Sequence, residues 1–168
     1  PPGMTATRAV GKVLIDPNNH FTAYVAYGGQ FGLSGIPTIN HIWKTTNLDA
    51  GTPAWTATAN GLPDVPVNAL VVDPTNSNDV YAGTDVGVYQ STDGGATWNP
   101  FGAGLPKMAV FDMAIQNVYR ILRISTHGRG MWEIALLAPN EALDRLPLEK
   151  WEELLRIGLA EIEEYDAG

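Results

Sequence analysis

Three observations predict an all-β fold. Short runs rich in Val, Tyr and Ala are cut by Asp-Pro, Gly-Gly and Asn-containing turns. Sequence landmarks recur 43 residues apart. No stretch of helical periodicity separates the runs, which argues against a parallel βαβ arrangement. Together they predict an incomplete β-propeller of about two and three-quarter four-stranded blades over residues 1–136, with a C-terminal amphipathic helix in an acidic segment, 137–168.

The elements follow in order. Strands at 9–16, 22–27, 41–46 and 54–59 make the first predicted blade, interrupted by an individual, glycine-rich insertion at 28–40. Such a loop suits a binding face or an extended hairpin. The second blade takes 66–73, 79–84, 87–92 and 97–101, and the last takes 109–115, 121–126 and 130–136 without a fourth strand. Gly61-Leu62-Pro63 returns as Gly104-Leu105-Pro106, Trp55 as Trp98, and Gly87-Val88-Tyr89 as Gly130-Met131-Trp132. Val13 to Pro17 matches Leu70 to Pro74 at the longer offset of 57, which the insertion explains. Trp55 and Trp98 are expected in the blade core.

Composition narrows the chemistry. The 168 residues contain no cysteine, so disulfides, thiol chemistry and cysteine metal sites are excluded. A net charge of -8 argues against nucleic acid and against an anionic membrane surface as partners. No apolar run reaches membrane-spanning length and no signal-peptide pattern is visible. A start at Pro-Pro-Gly predicts a chain that was processed or cut from something longer.

Ser91-Thr92-Asp93-Gly94-Gly95-Ala96-Thr97-Trp98 resembles the Asp-box, or BNR repeat, at every position of its pattern. The upstream stretch 43–51 departs from it, with Asn47 or Asp49 available for the aspartate. The resemblance covers about residues 10–136 and points to the sialidase-, xyloglucanase- and sortilin-like propellers. It implies an extracellular protein. It also implies that Ser91, Asp93, Gly95, Thr97 and Trp98 build a structural turn away from the axial pocket. Short polar side chains that bond their own backbone suit that role.

Candidates for ligand contact are Asp85, Asp112, His127 and Arg129. Asp85 and Asp112 lie near strand ends, and a glycosidase needs two carboxylates at a defined separation. His127 and Arg129 occupy the Thr-His-Gly-Arg-Gly turn. Asp16 and Asp73 precede prolines and are expected to cap turns. His20, His41 and His127 have no metal-ligand spacing, so no metal or cofactor is expected. The catalytic residues of a sialidase are not legible, since the arginines do not fall at equivalent blade positions.

In the tail, Leu148, Trp151, Leu155, Leu159 and Ile162 form one apolar stripe at helical spacing, a surface for docking a partner. Under three blades cannot close a ring. The expected partner is therefore another polypeptide supplying the missing blades, or further copies of the chain. The leading functional expectation is a noncatalytic scaffold or protein-interaction part of a larger propeller. The alternatives are a fragment of an Asp-box glycoside hydrolase and a carbohydrate-binding, lectin-like ring.

Overall fold

The computed structural model describes residues 9–28 and 40–136. The expected C-terminal helix with its docking stripe, and nearly all of the 28–40 insertion, lie outside the described residues.

The described chain forms three antiparallel sheets in sequence order. The first contains β1 (Val10–Asp16), β2 (Asn19–Tyr27), β3 (Ile42–Thr45) and β4 (Thr56–Ala57). The second contains β5 (Val67–Asp73), β6 (Asn76–Thr84), β7 (Gly87–Ser91) and β8 (Asn99–Phe101). The third has three strands, β9 (Val110–Gln116), β10 (Ile121–Thr126) and β11 (Met131–Ala135). Each sheet is a meander in which consecutive strands pair. This is the layout of successive propeller blades, with the last blade short of its fourth strand, as the repeat spacing predicts.

The second strands begin earlier than expected, at Asn19 and Asn76 rather than at 22 and 79. The cause is local. Asp16 Oδ1 accepts the N–H of Asn18 at 2.8 Å, and Asp73 Oδ1 accepts that of Thr75 at 2.8 Å. These turns close so tightly that Asp16 pairs with Asn19 and Asp73 with Asn76. The fourth strand of the first sheet is also shorter than expected, Thr56–Ala57 instead of 54–59.

The repeat is physical as well as textual. Leu62 N–H bonds Ala59 O, and Leu105 N–H bonds Gly102 O, both at 3.0 Å. Gly61 and Gly104 both stand at φ 92°, a region that an L side chain rarely adopts.

Two apolar clusters lie between the sheets. One joins Tyr24, Ala26 and Ile42 of the first sheet to Leu70, Val72 and Trp98 of the second. The other joins Tyr81 and Val88 of the second to Met113, Leu122 and Ile124 of the third. The second sheet thus uses one face for the first sheet and the other for the third. Trp98 is buried as expected, whereas Trp55 is only half-buried and outside both clusters. Trp98 has a sheet before it to pack against. Trp55 belongs to the first sheet, which has none among the described residues.

Candidate functional site

The best-defined polar constellation is the turn from Ser91 to Trp98. Ser91 is buried, its hydroxyl donating to Asp93 Oδ1 at 2.7 Å and accepting the Gly95 N–H at 2.7 Å. Asp93 accepts the Thr97 N–H on Oδ1 at 2.8 Å and the Thr97 hydroxyl on Oδ2 at 2.7 Å. The Thr97 donors, followed by the Ser91 hydroxyl, hold the Asp93 carboxyl down at about 2. Trp98 anchors the turn, its indole N–H donating to Thr58 O at 2.8 Å.

The neighbouring sheet grips this turn from outside. Gly94 O accepts the Tyr24 hydroxyl at 3.0 Å and Lys44 Nζ at 2.8 Å. The Thr58 hydroxyl donates to Gly95 O. Burial, reinforced by nearby Asp16, pushes the Tyr24 phenol far above its ordinary range, so it stays a neutral donor. Burial lowers the Lys44 ammonium, an effect opposed by Asp16 and Asp93.

A reduced copy of the turn stands in the first sheet. The Thr45 hydroxyl donates to Asn47 Oδ1 at 2.8 Å, and the Ala54 N–H reaches the same oxygen at 2.9 Å. Asn47, rather than Asp49, therefore occupies the place of Asp93. Between the two turns runs an open groove of about 850 Å³, lined by Lys44, Asn47, Thr56, Asn60 and Asp93 among others.

The four ligand candidates lie at the opposite strand ends. Asp85 is exposed and accepts the Asn68 amide at 2.8 Å. Asp112 is exposed and faces Lys12 Nζ at 3.4 Å. His127 lies edge-on to Phe111, with ring centroids 5.5 Å apart. Arg129 is exposed, and its carbonyl receives the Trp132 indole N–H at 3.0 Å. Asp85 and Asp112 thus have different partners, and no hydrogen bond or ion pair joins any two of the four candidates. Among the described residues, no group of three His, Cys, Asp or Glu side chains is arranged for a metal ion.

Two pairs escaped the sequence reading. Asp73, 1% exposed, takes Arg120 Nη1 at 2.9 Å together with the Arg120 Nη2 atom, joining the second sheet to the β9–β10 turn. Burial pushes the Asp73 carboxyl up, but the bonds from Arg120 and Thr75 outweigh it and hold it below the ordinary range. At the candidates' end, buried His41 sits 2.8 Å from Asp64 Oδ1 through Nε2 and 3.2 Å from Tyr27 O through Nδ1. Asp64 itself is exposed and is a carboxylate of that end which the sequence left unmarked.

No protein-family profile matches the chain, and no curated protein matches it. Solved structures do. An ancestral GH74 enzyme aligns over 71% of this chain with a TM-score of 0.55 and 22% identity. The GH74 xyloglucanase of Xanthomonas campestris aligns over 80%, with 0.56 and 17%. A gluconolactonase of the same organism aligns over 80%, with 0.53 and 17%. These are β-propellers, and at such identities the likeness concerns the fold alone. The aligned parts make up 14%, 22% and 40% of those three chains, so this chain spans a minor part of each.

Proposed function

We propose that the chain is a noncatalytic scaffold or protein-interaction part of a larger, extracellular propeller of Asp-box type. One observation carries the reading. The motif side chains Ser91, Asp93, Thr97 and Trp98 use their hydrogen bonds to build a turn that the adjoining sheet clasps through Tyr24, Lys44 and Thr58. That work is architectural. The four ligand candidates, by contrast, are not joined into one constellation. The missing blades come from another polypeptide segment, and the acidic segment 137–168 offers a separate docking stripe.

A second reading, a fragment of a glycoside hydrolase, draws support from the GH74 enzymes among the structural neighbours. Its catalytic carboxylates would lie mostly in blades outside this chain. One experiment separates the two. The native assembly is isolated, its mass and subunits are determined, and it is incubated with β-glucans including xyloglucan. A larger assembly that releases no reducing ends is expected. Hydrolysis abolished by Asp85→Asn or Asp112→Asn would overturn the noncatalytic reading.

A further inference from the structure

The two outer faces of the three-sheet stack differ in chemistry. At the position that faces the preceding sheet, Leu70 and Met113 are buried, while their counterpart Val13 is 63% exposed. Val72 is likewise buried, and its counterpart Ile15 is 53% exposed. The first sheet therefore ends in an aliphatic face built like two faces that are covered elsewhere in the molecule.

The other outer face breaks the pattern. The position facing the following sheet holds Tyr24 in β2 and Tyr81 in β6, both buried. In β10 it holds Arg123, whose Nε is 2.5 Å from Glu133 Oε1. Buried Ala69 is replaced there by exposed Asp112. If a second copy laid this face on Val13 and Ile15, it would bury Asp112 and the Arg123–Glu133 pair against aliphatic carbon. Charges buried without new partners are costly.

We infer that the Val13–Ile15 face docks one further blade of the same construction, presenting a tyrosine at the Tyr24 and Tyr81 position, and that this blade is not the third sheet of a second copy. The inference rests on the proposed membership in a larger propeller and adds a direction to it. Blades are added ahead of β1. Continuity with the two interfaces already in the molecule fixes what the occupant must look like.

The chain itself supplies the probe. Residues 1–9 are replaced by a copy of residues 67–109, so that Val10 follows the added blade as Val110 follows the original. A control carries Ala69→Asp, Tyr81→Arg and Gln90→Glu in the added copy only, imitating the third sheet. Amide exchange in β1 is followed with and without Val13→Asp, a change at an exposed position. The tyrosine-bearing blade should slow exchange by about tenfold or more, and the charged control or Val13→Asp should remove that protection. Equal protection by both blades, or no protection by either, overturns the inference. So does concentration-dependent self-association of the unextended chain that Val13→Asp abolishes, because a second copy would then be the occupant. Glycan hydrolysis abolished by Asp85→Asn or Asp112→Asn would sink the noncatalytic reading and leave this result standing.

Discussion

Replacing Arg120 with alanine tests how much one buried ion pair contributes to holding two blades together. Asp73 is 1% exposed and Arg120 6%, so neither charge has much water to fall back on. In Arg120→Ala the carboxylate keeps the Thr75 N–H at 2.8 Å and hydroxyl at 2.7 Å but loses both guanidinium contacts. Stranding one member of such a pair costs about 3–5 kcal/mol. With a urea slope of about 2 kcal/mol/M, the unfolding midpoint should fall by about 1.5–2.5 M. Arg120→Gly should lose about 1 kcal/mol less, because Arg120 stands at φ 54° and glycine adopts that conformation freely. Asp73→Asn with Arg120→Met should recover part of the loss, since it removes both charges together and leaves an amide oxygen to accept the Thr75 N–H.

The pH dependence gives an independent check. The native Asp73 carboxyl lies below its ordinary range, so its stabilisation is present above that range and is lost as pH falls through the lowered value. Without Arg120 the carboxyl loses the guanidinium that helps hold it down and rises from its native position. The deficit of Arg120→Ala should then shrink on acidification. A loss under about 1 kcal/mol at neutral pH, with no change in the deficit on acidification, would show a solvated pair of little consequence and refute the reasoning.

Other expectations follow from the repeated turns. Gly61→Ala and Gly104→Ala meet the same φ of 92°, but a Cβ at Gly61 would collide with Trp98 O while Gly104 has open space. Thermal melts should show Gly104→Ala costing about 1 kcal/mol and Gly61→Ala distinctly more; equal costs would mean that the contact relaxes freely. Tyr24→Phe should cost about 1 kcal/mol through the lost bond to Gly94 O, and adding Lys44→Met should cost more than the two singles combined, because Gly94 O then loses both its side-chain donors. A simple sum in a double-mutant cycle would refute that coupling. Asp93→Asn should flatten the acid limb of the stability profile, since the stabilisation from Asp93 is present above about 3.9 and fades as pH falls through about 2. An unchanged acid limb would count against it.

Much of the fold was legible because blades repeat at the level of backbone chemistry. Asp-Pro turns, Gly-Leu-Pro connections and the Ser91–Trp98 turn each depend on residues close in sequence, and a local pattern reports a local bond. The contacts between sheets were not legible. Tyr24 meets Gly94 across 70 residues and Arg120 meets Asp73 across 47, distances over which no spacing rule operates. Arg120 is further disguised, because an arginine at positive φ carries none of the signal that a glycine there would give. Similarly, His41 and Asp64 have no motif; only the return of the chain before β5 brings them together. Of the candidate residues, the turn-building set was readable from its pattern. The ligand candidates carry no such pattern, and the partners of Asp85 and Asp112, Asn68 and Lys12, come from strands far away in sequence.

The substitution of an amide for a carboxylate at Asn47 divides the two turns by their response to the medium. Asn47 accepts its bonds in the same way at any pH, whereas Asp93 does so fully only as an anion. Strong acid would consequently slacken the middle sheet at its rim while leaving the outermost turn intact. The Asn47 turn is thereby the acid-indifferent one of two clasps that are otherwise built alike.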